Sequence, residues 1–309
     1  IYASAFSPDN KKVAVAGYSV IKIFDTETGE NLNEISGHQA MITSLAFSPD
    51  GQKIVSGGWY KEVFVWDAES GNQLLAISGR ADAVKTVKFS PDGKKIATGG
   101  NDGYVRIWDA ESGKEIRSFL YRSAIAIAIK DVNGIAFSPD GQRIAAVAWD
   151  MNHTAMIWDV STGVVQATMS GDEWLSGSNI SFSPSGNAVC FSPDGQWILT
   201  GCTPYRGSDI MMNNEDEMVL LWDAQTGKKI RSFKGHQWDV NSVAFSPDGK
   251  YILTGAGTYS DQYNTGVPMD NTARLWDVAT GEELRIFSGH SGLVKSVSFS
   301  DDGAKILTG

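Results

Sequence analysis

The chain has 309 residues, 42% of them apolar, with 33 glycines and a formal net charge of −10. That acidity argues against a broad nucleic-acid surface, which needs Lys and Arg to neutralise phosphate, and no run approaches the ~20 apolar residues that cross a bilayer. Two cysteines, Cys190 and Cys202, with no Cys-x-x-Cys spacing, exclude a thiol zinc site and predict two free thiols.

Ile1 begins inside a predicted strand, so the chain reads as a piece of a longer polypeptide. Phe6 starts the first copy of the pentapeptide Phe-Ser-Pro-Asp-Gly, here ending in Asn10. Further copies or close variants start at Phe47, Phe89, Phe137, Phe191, Phe245 and Phe299, and a near-copy, Phe-Ser-Pro-Ser-Gly, at Phe182. A period of roughly 40–50 residues marks a repeat architecture with one shared core, which overrides the two-domain expectation from length. A second turn recurs and ends at Gly29, Gly71, Gly113, Gly163, Gly227 and Gly281.

Residues 236–287 serve as the type repeat. Residues 240–246 read as strand a and residues 250–255 as strand b, joined by Ser246-Pro247-Asp248-Gly249. Pro presets φ at the second turn position, Asp suits the third, and Gly takes the left-handed geometry that follows. Residues 273–276 form the heart of strand c, and residues 283–288 form strand d after the turn Asp277 to Gly281. Such a sheet cannot bury both faces alone. Sheets packed face to face around an axis solve this and leave only short, protected edges.

These features resemble the WD-repeat β-propeller family, in its regular bacterial or archaeal form. The strand-c dipeptide Trp-Asp stands at Trp66, Trp108, Trp158, Trp222 and Trp276, with Phe24-Asp25 in the first repeat. Gly-His occurs at Gly37-His38, Gly235-His236 and Gly289-His290. The resemblance covers essentially the whole chain. It implies an all-β propeller of four-stranded antiparallel blades, one domain over residues 1–309. The blades would span residues 1–36, 37–78, 79–120, 121–170, 171–234 and 235–288, with strands a and b of a seventh in 289–309. The intact ring is expected to hold seven blades, with eight as the alternative. Strand a of blade five ends at Phe191 or at Phe182, and proximity to strand b favours Phe191.

The resemblance further implies a structural tetrad of His236, Thr254, Asp270 and Trp276. The same set resembles a catalytic triad, but a triad needs an exposed nucleophile and an oxyanion site, and a motif echoed between blades is a structural device. Blade two keeps His38, Ser56 and Trp66 but has Tyr60 where Asp is expected. Blade three has Arg80, and blade five Asp172, in place of His. Only blade six therefore reads as complete. His153 beside Asp150 offers too few ligands for a metal, and the acidic stretch 213–217 lacks calcium-loop spacing. No catalytic residue, metal site or cofactor is expected.

Insertions fall in the b–c loops 202–218 and 256–272, and in the connections 120–131 and 171–195. Alternating strand direction puts the d–a and b–c loops on one face, the top face of the resembled family and a common partner site. Their aromatic and Arg residues are of the types that dominate binding hot spots. The candidates are Trp59, Tyr60, Arg80, Trp149, Tyr205, Arg206, Trp238, Tyr259 and Tyr263. The expected function is a non-catalytic scaffold that binds a protein or peptide partner there, without nucleic acid or membrane insertion. The alternative is a regulatory or ligand-sensing propeller domain of a larger kinase-, NTPase- or protease-linked protein.

Overall fold

The computed structural model describes residues 1–79, 82–121, 131–148, 155–170, 185–203, 218–258 and 270–309. Blade one comprises β1 (Ala3–Phe6), β2 (Lys12–Ala16), β3 (Val20–Asp25) and β4 (Asn31–Ser36). Blade two comprises β5 (Ile42–Phe47), β6 (Lys53–Gly58), β7 (Val63–Asp67) and β8 (Gln73–Ile77). Blade three comprises β9 (Val84–Phe89), β10 (Lys95–Gly100), β11 (Tyr104–Asp109) and β12 (Glu115–Leu120). Blade four comprises β13 (Val132–Phe137), β14 (Arg143–Ala148), β15 (Ala155–Asp159) and β16 (Val165–Met169). Blade five comprises β17 (Ser185–Phe191), β18 (Trp197–Thr203), β19 (Val219–Asp223) and β20 (Lys229–Phe233). Blade six comprises β21 (Val240–Phe245), β22 (Tyr251–Ala256), β23 (Ala273–Asp277) and β24 (Glu283–Phe287). A seventh, two-stranded sheet pairs β25 (Val297–Phe299) with β26 (Ile306–Thr308).

Within each blade, sequential strands pair antiparallel. The innermost strand of each blade packs beside that of the next, and β25 packs beside both β21 and β1, closing a seven-sheet ring. The seam carries its own bonds: the hydroxyls of Ser4 and Ser296 lie 3.0 Å apart, and the Asp301 amide donates to Asn10 Oδ1 at 2.7 Å. β17 ends at Phe191, while Phe182 lies outside the described residues. Cys190 pairs across the ladder with Leu199 and Cys202 with Gly186, and both thiols are free.

The repeated turns hold the lower face together. In the type repeat the Ser246 hydroxyl donates to Asp248 Oδ1 at 2.6 Å and accepts the Tyr251 amide at 2.9 Å. The Gly249 amide closes onto the Ser246 carbonyl with φ near 70°. That angle suits glycine, and in the first repeat Asn10 takes it at 60°, as Asn can. In the second turn, Asp277 Oδ1 accepts the Thr280 amide at 2.7 Å and hydroxyl at 3.0 Å. Among the described residues, no helix is long and apolar enough to cross a membrane.

Blades join by a small-to-large fit. A Cβ built on Gly255 of β22 would stand 2.7 Å from Cγ1 of both Val294 and Val297 in the next blade. Gly57 meets Val84 and Val87, Gly99 meets Val132, and Gly201 meets Val240 and Val243 in the same way. Gly309 repeats the fit more loosely against Ile1, at 3.2 Å from its Cγ2. Blade four departs from it. Val147 takes the glycine's place, and a Cβ on Gly134 would stand 3.0 Å from its Cγ2 and 3.3 Å from the Ala188 backbone.

Candidate functional site

Two hydrogen-bonded networks cross the blades just below the top face. In blade six, Trp276 Nε1–H donates to Thr254 Oγ1 at 2.9 Å. The Thr254 hydroxyl meets His236 Nε2 at 2.7 Å, and His236 Nδ1 meets Asp270 Oδ2 at 2.7 Å. Asp270 also accepts the Gln237 amide at 3.1 Å and the Thr272 hydroxyl, with Arg274 alongside at 3.6 Å. This pattern assigns a neutral imidazole, with its proton on Nδ1 and Nε2 accepting from threonine. Thr254 is fully buried and His236 is 1% exposed, so the hydroxyl reaches no solvent or substrate.

The second network corrects an expectation. Blade two is complete, because Glu62 takes the role sought at Tyr60. His38 Nδ1 lies 2.9 Å from Glu62 Oε2, His38 Nε2 lies 2.7 Å from Ser56 Oγ, and Trp66 Nε1–H donates to Ser56 at 2.7 Å. The b–c turn is short, with Lys61 at φ 68° and the Gly58 amide on the Glu62 carbonyl. The reversed turn swings Glu62 beneath the loop, and its longer side chain covers the remaining reach. Blade three is rewired: Trp108 still donates to Thr98 at 2.8 Å, while Asp102 accepts from Arg106 at 2.6 Å.

Both buried histidines are held below the ordinary value because burial disfavours the imidazolium, although Glu62 and Asp270 pull the other way. Burial pushes the Asp270 carboxyl up, but hydrogen bonds from His236 and Thr272 and nearby charge outweigh this and leave it at about 2. The sign for stability follows. The unfolded histidines, near pH 6.5, bind protons before the folded ones, so stability falls as pH drops below about 6.5. Each histidine contributes at most about 1.4 kcal/mol per pH unit. Asp270, depressed below its unfolded 3.8, adds stability above that value that is lost as pH falls toward 2. Urea midpoints at pH 7, 6 and 5 are expected to decline, and a flat profile would contradict neutral buried histidines.

Above these networks the structure separates the surface candidates. Trp59 is 53% and Tyr60 68% exposed. Trp238, in contrast, is 3% exposed and so is a packing residue here. Its apolar area is removed from water instead of being offered to a partner. Arg80, Trp149, Tyr205, Arg206, Tyr259 and Tyr263 lie outside the described residues, as do His153 and the stretch 213–217. Sequence reasoning missed Tyr18, which is 65% exposed in the short b–c turn of blade one. The Tyr18 carbonyl accepts the Ile42 amide at 2.9 Å, and the Trp59 amide donates to the Met41 carbonyl at 3.1 Å. Tyr18 and Trp59 thus flank the same Met41–Ile42 backbone from neighbouring blades. A tight turn carrying a lone aromatic was the available signal. Among the described residues, no cluster of His, Cys, Asp and Glu could hold a metal.

The family model for the WD domain, G-beta repeat, matches residues 29–67, 71–109, 128–159, 176–223, 227–277 and 281–309. The chain belongs to the WD40 family. It is 32% identical over 166 residues to a guanine nucleotide-binding protein subunit beta of Arabidopsis thaliana, covering 51% of this chain and 36% of that protein. The corresponding subunit of Oryza sativa subsp. japonica is 29% identical over 58% of this chain and 41% of its own length. Nuclear distribution protein PAC1 of Arthroderma otae is 29% identical over 57% of this WD40 chain and 33% of its own. The matches thus span about two-fifths or less of these curated relatives. All three are eukaryotic, and they lend no support to a bacterial or archaeal form of the repeat.

Proposed function

We propose that residues 1–309 act as one non-catalytic binding domain that holds a protein or peptide partner on its top face. The observation that carries this reading is the exposure of Tyr18, Trp59 and Tyr60 on the adjoining b–c turns of two blades. Large aromatic side chains lose little conformational freedom on binding and bury much area. The ring beneath them is tied by the buried networks, so the patch is presented without an ordering cost. Two of the relatives are named as subunits, which is the kind of role a binding ring serves. Neither nucleic acid nor the membrane interior is the intended partner, and the net charge of −10 supports the first exclusion. Further domains of the same polypeptide are a second class of partner for the same face.

The test separates binding from folding. Trp59→Ala combined with Tyr60→Ala is expected to weaken capture of a purified partner by more than about tenfold, since truncated aromatic anchors often cost 2 kcal/mol or more. The thermal midpoint should stay within about 2 °C, because exposed side chains away from caps and cores contribute little to stability. Unchanged binding, or a thermal loss matching the binding loss, would sink the reading.

A further inference from the structure

On the lower face, the second residue after the turn glycine (Asn10 in the first repeat) is a cation in five blades: Lys12, Lys53, Lys95, Arg143 and Lys305. Three of these reach the blade that follows. Arg143 Nη2 donates to the Gly195 carbonyl at 2.7 Å. Lys12 and Lys305 are electrostatic neighbours of Asp67 and Asp25, the strand-c carboxylates of the next blades around the ring. In blade five the position is Trp197. It pairs with Asp223 across the ladder and packs against the apolar cluster between blades five and six.

A groove of about 570 Å³ opens on the lower face where that cation is missing. Trp197 and the buried side chains of Leu221 and Val278 give it an apolar floor. Pro193 lies against Gly249 at its axial end, and the half-exposed Ile230 of the outermost strand β20 stands at the other. Five charged groups edge it: Asp194, Asp248 and Asp277 against Arg231 and Lys250. Lys250 lies 3.4 Å from Asp248, and Arg231 is the electrostatic neighbour of Asp277. Asp194 is left over. Among the described residues it forms no ion pair, because Gln196 and Trp197 stand where Asp50 finds Lys53 and Asp140 finds Arg143. Its Oδ1 accepts the Ser192 hydroxyl at 2.6 Å and the Gln196 amide at 3.0 Å, which fixes the exposed carboxylate at the edge of the groove.

We propose that this groove docks an extended segment of a partner protein that carries an aliphatic side chain beside an arginine or lysine. The aliphatic group covers Trp197 and Leu221, and the cation meets Asp194. An apolar centre with a charged rim is the make-up of protein interfaces, and Trp and Arg are among the residue types that dominate their binding energy. The unmatched carboxylate selects a basic segment over an acidic one, and the net charge of −10 acts in the same direction. The site lies on the face opposite Tyr18, Trp59 and Tyr60 and does not depend on them.

The probe is the fluorescein-labelled peptide Gly-Val-Leu-Arg-Val-Gly, titrated with the intact chain and read by anisotropy. Saturable one-to-one binding is expected. Serine in place of the peptide's leucine should weaken it by at least about tenfold. Glutamate in place of its arginine should weaken it by about fivefold, a difference that fades in about 1 M salt. Trp197→Lys, which gives blade five the residue type of blades two and three, should weaken binding by at least about tenfold. Asp194→Asn keeps the acceptor oxygen of the turn and should erase the preference for arginine over glutamate. The peptide comparisons use the unaltered chain, so they decide even if a variant folds poorly. No saturable binding at millimolar concentration, equal binding of the leucine and serine peptides, or an arginine preference that survives Asp194→Asn would each overturn the proposal. So would a dimer of the chain that Trp197→Lys separates, which would assign the groove to a second copy.

Discussion

Asp270→Ala is expected to lower the unfolding free energy by about 3 kcal/mol or more, because each buried donor left without its acceptor costs about 1–3 kcal/mol. The carboxylate is 5% exposed and accepts from His236, Thr272 and the Gln237 amide, so its loss orphans several buried donors at once. Arg274 alongside loses one of its two acids and keeps Glu283 at 2.7 Å. The parallel change Glu62→Ala should cost less, about 1–2 kcal/mol, because that side chain is 13% exposed and water can replace part of what it gives His38. Urea titrations of both variants check the pair of values. A loss below 1 kcal/mol at Asp270 would mean that the network does not hold the blade.

Gly255→Val is expected to cost about 3 kcal/mol or slightly more, at the upper end of what overpacking costs in a filled core. Gly255 has no left-handed φ, so the backbone tolerates a side chain and the penalty is steric alone. Two valine methyls already stand where the new Cβ would go. The compensating change Val297→Ala in the same chain should recover part of the loss. Equilibrium unfolding of the single and double variants measures that coupling, and additive losses would argue against a shared packing site.

Much of the scaffold could be read from residue types at fixed offsets. Pro, Asp and Gly at the turns and Trp-Asp in the third strand have local causes, so β21 to β24 fall within a residue or two of the expected ranges. What escaped depends on where the loop backbone goes. Glu62 lies two residues past the position searched, and only the positive φ of Lys61 brings it to His38. Trp238 has the composition of a binding residue and the burial of a core one. Tyr18 sits in a turn too short to attract notice. Lys88 looks like one more surface lysine in an alternating strand. Its place on the lumen wall appears only when seven strands set their equivalent residues around one axis.

The glycine–valine fit between neighbouring sheets makes blades three and six interchangeable parts. Each presents valines on its leading strand and a glycine on its second, so each fits behind the other without a new side chain at the boundary, whereas blade two leads with Ile42 and Leu45. Blade four accepts such a neighbour in front, because Val132 meets Gly99 as its counterparts do, but behind it the glycine stands on the leading strand, where Gly134 lets in the Asn187–Ala188 backbone of blade five. Duplicating or transplanting a blade within this ring is therefore a question of one side chain per boundary, and the fourth blade is matched to the fifth through Gly134.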